Sequence, residues 1–153
     1  MTSGPAAVRA AHAADEGAWL EMWADFVRDG PEPCAPDAPA LTWRRVLDAA
    51  SPLDCLIAEE HGAPIGFLLY VTHPYSWSTR AVCYLLDLYV RPDHRGRGHG
   101  RALLEALDRT GRTAGWLKIY WMTQADNRLS QALYDKLATR SPLVRYDLYL
   151  APH

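Results

Sequence analysis

The feature of this sequence that most constrains its fold is a run of alternating glycines between two apolar segments. Gly96, Gly98 and Gly100 lie in RPDHRGRGHGRALLEAL, directly after the stretch AVCYLLDLYV. The stretch before the glycines is apolar apart from Asp87 and favours a central strand, whereas the leucines after them recur at helical spacing. Pro92 ends the strand, because proline cannot donate to a sheet ladder. The segment therefore predicts a strand, a glycine loop and a helix.

The open backbone between this strand and this helix suits the binding of an anion. The first N–H groups of a helix have no intrahelical partner, and the helix dipole adds partial positive charge there. Glycine lets the backbone coil without Cβ clashes and lets a ligand approach closely. Arg95, Arg97 and Arg101 add positive side chains. The pattern therefore indicates a phosphate-binding loop.

Three other interpretations of the glycine run fit less well. A P-loop would need Lys-Ser or Lys-Thr after its last glycine, where this chain has Arg101 and Ala102. A dinucleotide-binding fingerprint spaces its glycines as GxGxxG, and the run GxGxG is one residue short. An arginine- and glycine-rich RNA-binding tail would be disordered, and the strong strand and amphipathic helix on either side argue against it.

The remaining segments alternate between strand and helix patterns and predict an α/β (α+β) domain with a mostly antiparallel sheet. The predicted strands are Ala7 to Ala11, Leu53 to Glu60, Ile65 to His73, Ala81 to Val90, Trp116 to Gln124 and Leu143 to Leu150. Besides the helix after the glycines, we predict helices over 15–30 with Asp15 as N-cap, 43–50 after Thr42, and 126–138. Pro31 to Ala40 holds four prolines and is predicted to be a loop.

Composition limits the cellular setting and the partners. The formal net charge is -2, so a general electrostatic footprint for nucleic acid is absent. No window approaches ~18 uncharged apolar residues, and MTSGPAAVRAAHAADEG lacks the apolar core of a signal peptide. Cys34, Cys55 and Cys83 form neither a disulfide framework nor a metal-binding pair. We therefore expect a single cytoplasmic domain over residues 1–153 with no metal, no nucleic-acid partner and no membrane partner.

Two motifs resemble those of the GNAT acyltransferase superfamily. LYVRPDHRGRGHGRALLEAL resembles motif A, whose signature Arg/Gln-x-x-Gly-x-Gly/Ala is matched from Arg95 to Gly100. WMTQADNRLSQALYDKLA resembles motif B, in which an asparagine precedes a helix with a Leu-Tyr pair; Asn127 and Tyr134 occupy those positions. The resemblance implies the GNAT fold, in which about four helices flank the sheet and the fourth and fifth strands splay apart.

The resemblance implies acetyl-CoA as the acyl donor and assigns its contacts to this chain. The pyrophosphate would lie on the main-chain amides of the glycine loop, and the pantetheine arm would pair with the exposed edge of the fourth strand. The Asn127 side chain would bond the pantetheine or its neighbourhood. The implied donor-binding residues are Leu88, Tyr89, Val90, Arg95, Gly96, Arg97, Gly98, His99, Gly100, Arg101 and Asn127.

Two side chains are candidates for the chemistry of amine acetylation. By its position in motif B, Tyr134 would protonate the departing thiolate; the alternative is a core aromatic residue. Asp87 is the only charge in its strand, and a carboxylate there would be a base or an anion that binds the amine; the alternative is a satisfied structural carboxylate.

The acceptor site is the least family-like part of the sequence. Trp23 lies on the predicted first helix, and Tyr75 and Trp77 lie in the loop before the central strand. We take these three aromatic residues as candidates for acceptor binding, with a core role as the alternative for Trp23. His94 and His99 flank the glycine loop and are more typical of solvated histidines than of proton carriers.

The resemblance is strongest to the histone/polyamine acetyltransferase branch, whose members acetylate small amines, amino acids or basic peptides. Polyamine enzymes often carry Glu-Asp where this chain has Leu86 and Asp87, which argues against a polyamine. The chain ends soon after motif B, and the branch often completes its sheet across a dimer, so we expect a homodimer. The alternative function is a catalytically silent acyl-CoA sensor or interaction module.

Overall fold

Five strands lie side by side in one sheet, in the order of the chain. A computed structural model describes residues 6–152. The first four strands pair antiparallel, and the fifth pairs parallel to the fourth. The strands are β1 Ala7–Ala10, β2 Leu53–Glu60, β3 Ala63–His73, β4 Val82–Val90 and β5 Ile119–Tyr120. The expected mixed, mostly antiparallel sheet is confirmed.

Four α-helices connect or follow these strands in the described residues, as expected. They are α1 Glu16–Arg28, α2 Ala38–Leu47, α3 His99–Ala114 and α4 Arg128–Leu137, and two short 3₁₀ turns cover Ala13–Asp15 and Pro92–His94. The chain divides into two compact units after Trp121. The first unit holds the whole sheet and α1 to α3, and the second holds α4.

An aromatic core fills one face of the sheet. Trp19 on α1 stacks on Trp23 at 5.1 Å between ring centroids and lies 5.1 Å from Trp43 on α2. Phe67 on β3 packs below both helices. Because neighbouring strand residues point to opposite faces, α3 takes the other face, where Leu103 and Leu107 are fully buried against β2, β3 and β4. These three strands are therefore covered on both sides.

The second helix begins earlier than the sequence predicted. Its N-cap position is Asp37 rather than Thr42, and Pro39 lies within its first turn. Proline is tolerated there because its missing N–H would have no intrahelical partner. The proline-rich loop is correspondingly shorter than predicted, and the helix ends at Leu47 rather than near Ala50.

Two predicted strands differ in the structure. The fifth strand has two residues instead of the nine predicted. Residues 143–150, predicted as a last strand, carry no strand assignment, and their apolar side chains are exposed. The alternating pattern is present, but among residues 6–152 no neighbouring strand supplies the hydrogen bonds that would form a ladder.

Candidate active site

The glycine loop forms the junction of β4 and α3 as predicted. Gly96 and Gly98 have φ of 73° and 85°, the left-handed region that side chains other than glycine rarely adopt. Gly98 is the N-cap of α3, and the first helical bond runs from the N–H of Ala102 to its carbonyl. A Cβ placed at Gly96, Gly98 or Gly100 would meet nothing within 4 Å. Open space therefore lies beside the Cα atoms of these three glycines.

The arginines of the loop have different partners. Arg95 folds back, with its Nε donating to the carbonyl of Val90 at 2.7 Å and its guanidinium 5.5 Å from the ring centroid of Tyr89. Arg101 donates to Glu105 at 2.8 Å along α3. Arg97 approaches Glu60 only to 4.0 Å and is half-exposed. Of the three, Arg97 is the side chain freest to turn towards an anion.

His99 is not solvated, which corrects the sequence-based expectation, whereas His94 is partly exposed. His99 is 2% exposed, and its Nδ1 accepts a hydrogen bond from the N–H of Ala6 at 3.1 Å. His94 lies 2.9 Å from the carboxylate of Glu60. The reason is position: His99 is the first residue of α3, and its side chain points into the protein beneath the loop.

Glu60, His94 and His99 also offer three potential metal ligands, with ligand atoms within 4.8 Å of one another. The hydrogen bond from Ala6 occupies the Nδ1 lone pair of His99, so the ring proton lies on Nε2. In this state Nε2 donates and does not ligate. A metal ion could use Nε2 only if Ala6 gave up its hydrogen bond.

The fourth strand carries a β-bulge and a free edge. Leu69 pairs with Asp87 and Tyr70 with Leu85, so Leu86 is the extra residue. On the other side, β5 pairs with β4 only at Cys83 and Tyr84. Within the described residues, the β4 edge beyond Tyr84 therefore has no strand partner, as expected for strands that splay apart.

Asp87 lies at this bulge and is largely buried. It pairs with Leu69, whose side chain belongs to the aromatic core on the face covered by α1 and α2. Burial raises the pKa of Asp87 from 3.8 to about 6. Because Asp87 is still mostly ionised at neutral pH, its burial lowers the free energy of unfolding. Buried groups with shifted pKa values of this kind are concentrated in functional sites.

The three candidate acceptor residues lie in two different environments. Trp23 packs in the core, 6.1 Å from Phe67 between ring centroids. Tyr75 and Trp77 lie together in the β3–β4 loop, with centroids 6.4 Å apart, and Trp77 is 87% exposed. The same loop borders a cavity of about 340 Å³ that is lined by residues from Thr72 to Ala81. Trp77 is therefore the most exposed of the three, and Trp23 and Tyr75 are each partly buried.

The second unit, residues 122–152, contains the predicted motif B helix. Asn127 is the N-cap of α4, and its Oδ1 accepts a hydrogen bond from the N–H of Ser130 at 3.2 Å. Tyr134 is half-buried, and burial raises the pKa of its hydroxyl while the hydrogen bond with Ser130 lowers it. The net shift is upward, so Tyr134 is a protonated phenol at neutral pH.

Comparison with known proteins decides the family. The model of the family described as "Acetyltransferase (GNAT) family" matches residues 19–138, which include the glycine loop and most of the fold. The chain belongs to the GNAT acetyltransferase family. The superfamily predicted from the two motifs is therefore confirmed, whereas the histone/polyamine branch is not.

Relatives of this GNAT chain include several acetyltransferases. It is 32% identical to "D-amino-acid N-acetyltransferase HPA3" of Saccharomyces cerevisiae over 95% of this chain and 92% of that protein. A ribosomal-protein-alanine N-acetyltransferase from Brucella melitensis has the same fold, with a TM-score of 0.79 and 19% identity over 95% of this chain and 99% of that one. A further match, AAC(6')-Iy in complex with a CoA bisubstrate analogue, has a TM-score of 0.78 and 23% identity over 95% of this chain and 97% of that one.

The structure gives His73, at the end of β3, a partner that no pattern in the sequence indicates. His73 Nε2 lies 2.7 Å from the hydroxyl of Tyr120, a residue of β5. No signal in the sequence joins them, because the contact depends on how β5 is placed beside β4.

None of the helices in the described part of the chain is long and apolar enough to cross a membrane.

Proposed function

We propose that this chain transfers the acetyl group of acetyl-CoA to a primary amine of a small molecule, an amino acid or a basic peptide. The observation that carries the proposal is the glycine loop, in which two residues at positive φ open a 16-residue helix beneath free space. Such a helix start binds phosphate groups. Acetyl-CoA, the cosubstrate implied by the family, offers a pyrophosphate.

The donor would lie along β4 and the loop. Its pyrophosphate would accept hydrogen bonds from the main-chain amides of residues Arg95 to Arg101. Its pantetheine arm would pair with the strand edge from Leu88 to Val90. The free strand edge in the described residues supports this path. Asn127 caps α4 through Oδ1, so its NH₂ group is the donor that would reach the pantetheine.

The proposed chemistry is a direct attack of the amine on the thioester. An alkylammonium, with a pKa of about 10.4, must first lose a proton. A backbone N–H of the bulged strand would stabilise the oxyanion. The thiolate, with a pKa of about 8.5 by analogy with cysteine, would take a proton from Tyr134. The raised pKa of Tyr134 keeps its proton available at neutral pH.

Asp87 would face the acceptor amine as its base or its counter-ion. With a pKa of about 6 it is mostly ionised at neutral pH and attracts an ammonium group. Its place at the bulge, on the face of α1 and α2, supports this role over that of a structural carboxylate, because no salt-bridge partner of Asp87 occurs among residues 6–152.

Replacing Asp87 by asparagine is expected to stabilise the protein at pH 7.5 while impairing acetyl transfer. A carboxyl whose pKa is raised from 3.8 to about 6 binds more protons in the folded state, so stability falls as the pH rises between these values. At neutral pH the ionised group costs no more than about 3 kcal/mol, which asparagine removes. Thermal unfolding at pH 7.5 and pH 4.5 measures the effect.

The gain in stability should fall to about a third at pH 4.5, where Asp87 is protonated in the folded state but still mostly ionised in the unfolded chain. Asp29→Asn, at the exposed end of α1, is the matched control and should leave the melting temperature nearly unchanged at both pH values. A decrease in stability of Asp87→Asn at pH 7.5 would show that the carboxylate has a native partner, and would contradict the assigned environment.

A screen of amines with acetyl-CoA, followed by the release of free thiol, tests the proposed activity. D-amino acids come first, because a relative that spans nearly the whole chain is named for them. L-amino acids, aminoglycosides and basic peptides follow. Absence of turnover with every amine, together with tight acetyl-CoA binding, would favour the alternative of a silent acyl-CoA sensor. No observation of the structure favours that alternative at present.

Several features of the proposal rest on the sequence alone. They are the histone/polyamine branch, a single domain over residues 1–153, a cytoplasmic location, and the lack of a metal, nucleic-acid or membrane partner. Leu86 in place of the glutamate that polyamine enzymes often carry argues against polyamines within that branch. The aromatic pair of Tyr75 and Trp77 is proposed to line the acceptor entrance.

We also propose a homodimer in which the segment 143–150 pairs with a second copy. Its side chains alternate in polarity, and the apolar ones, such as Leu148 at 85% exposure, lie open to solvent. A segment with a strand-like pattern and exposed apolar side chains, but no strand partner among residues 6–152, is a liability that proteins cover. Leu148→Glu should therefore shift the protein from dimer to monomer in sedimentation experiments at micromolar concentration.

The matched control for the dimer is Leu129→Glu, which changes an equally exposed leucine on α4. It should leave the dimer intact. Deletion of residues 143–153 should abolish dimerisation or solubility. A wild-type protein that sediments as a folded monomer would refute the proposal.

A further inference from the structure

A short chain of hydrogen bonds ends at the point where β4 and β5 separate. His73 Nδ1 lies 2.7 Å from the carbonyl of Pro74, and His73 Nε2 lies 2.7 Å from the hydroxyl of Tyr120. A carbonyl can only accept, so Nδ1 carries the proton and Nε2 presents its lone pair. The hydroxyl of Tyr120 therefore donates to His73, which leaves its oxygen lone pairs free to accept from a third group.

The position of Tyr120 connects this chain of hydrogen bonds to the proposed site. Tyr120 pairs with Tyr84 at the last ladder position between the two strands, and their rings stack at 4.9 Å and 18°. Tyr84 in turn pairs with Val71 on β3. Beyond this position the β4 edge has no strand partner in the described chain. Tyr120 thus lies at the closed end of the cleft between the strands, and its hydroxyl is directed towards His73.

Tyr120 and Asp87 share one face of the sheet. Val71 and Leu69 are two residues apart on β3 and therefore point to the same side. Tyr84 pairs with Val71 and Asp87 with Leu69, on either side of the bulge. Both groups therefore lie on the face covered by α1 and α2, and α3 with the glycine loop at its start lies on the other.

The chemistry of this end of the cleft suits an alkylammonium group. Stacked tyrosine rings attract a cation, and a phenol oxygen whose own proton is engaged accepts a hydrogen bond from N–H. The neighbouring loop already holds such a contact, since the Lys118 ammonium lies 4.8 Å from the ring centroid of Tyr75. Burial raises the pKa of Tyr120, so the residue acts here as a phenol and not as a phenolate.

We infer, on the basis of the proposed function, that Tyr120 and His73 form the route by which the acceptor ammonium loses its proton. The ammonium N–H donates to the Tyr120 oxygen, and as that proton is transferred, the Tyr120 hydroxyl proton passes to His73 Nε2. The amine is now neutral, and its lone pair forms the bond to the acetyl carbon while the C–S bond breaks. The nitrogen then releases its second proton as the amide forms, which balances the proton that the thiolate takes up. His73, then an imidazolium, borders the open cavity of the β3–β4 loop and releases the proton to solvent. The proton that the overall reaction liberates is thereby accounted for.

The experiment compares Tyr120→Phe, His73→Gln and the double variant in steady-state acetyl transfer to the best acceptor of the screen. Phenylalanine keeps the stacking on Tyr84 and removes only the hydroxyl. Each single variant should lower kcat/KM for the acceptor about a hundredfold, the lower range for general base catalysis. The double variant should be no slower than the slower single variant, because the two groups act as one unit.

Acetyl-CoA affinity and melting temperature separate this role from a structural one, and both should stay near the wild-type values in all three variants. Tyr70→Phe is the matched control: it removes a tyrosine hydroxyl from β3 on the opposite face, beside Trp116, and should retain wild-type kcat/KM. If the wild type is active and Tyr120→Phe is equally active, this inference is wrong while the proposed function stands. The same holds if the losses of the two single variants multiply in the double variant. A wild-type protein that acetylates no amine would refute the proposed function and this inference with it.

Discussion

Replacing Gly98 by valine is expected to abolish the binding of acetyl-CoA. Gly98 has φ of 85° and is the N-cap of α3, and a β-branched residue is a strong outlier in this region of backbone space. The space over its Cα is open in the structure, so the side chain would stand where the pyrophosphate is proposed to lie. Isothermal titration calorimetry measures the loss directly.

Gly115→Val is the matched control for this prediction. Gly115 has φ of 75° and also meets nothing within 4 Å, but it caps the other end of α3, about 24 Å away along a 16-residue helix. Both variants should lose similar stability, and only Gly98→Val should lose the ligand. Acetyl-CoA at about 100 times its Kd should add about 2.7 kcal/mol to the stability of the control and nothing to Gly98→Val. Absence of calorimetric binding to the wild type would refute the cosubstrate itself.

Replacing Tyr134 by phenylalanine is expected to lower kcat by about 10²–10⁴-fold and leave acetyl-CoA affinity nearly unchanged. The hydroxyl is proposed to act on the departing thiolate, a charge that develops only in the transition state. Loss of such a group lowers kcat and kcat/KM together when chemistry limits the rate. Single-turnover measurements establish whether chemistry is limiting.

Ser130→Ala provides the control for Tyr134. It removes the hydroxyl that hydrogen-bonds with Tyr134 and leaves the phenol in place. Its kcat should stay within about tenfold of wild type, because the proton donor is retained. A Tyr134→Phe enzyme with wild-type kcat under chemistry-limited conditions would mean that water protonates the thiolate, and would remove Tyr134 from the mechanism.

The sequence was sufficient for the parts of this protein that depend on neighbours along the chain. Alternating glycines between a strand pattern and a helical leucine pattern predicted the loop, and both Gly96 and Gly98 have the positive φ that makes glycine necessary. The β2–β3 hairpin was predicted as well, although its turn is tighter than expected and consists of His61 and Gly62 at positive φ. Such features are set by backbone sterics within a few residues.

Features that depend on distant partners were predicted less well. The alternating pattern of residues 143–150 is typical of a strand, yet a strand exists only where another supplies its hydrogen bonds, and the described chain supplies none. Likewise, His99 looked like a solvated loop residue, but the turn into α3 buries it beside Ala6. Side-chain polarity alone could not indicate burial, because burial is decided by what the rest of the chain packs against it.

The candidate site contains both features that depend on local sequence and features that depend on contacts between distant segments. The sequence by itself determined the glycine loop between β4 and α3, the lone charge of Asp87 and the motif positions of Asn127 and Tyr134, because each is a local pattern of residue types. Only the tertiary structure decided the bulge at Leu86, the short pairing of β5 and the contact of His73 with Tyr120. These depend on strand register between segments far apart in sequence, and register is fixed by the packing of the whole sheet against its helices.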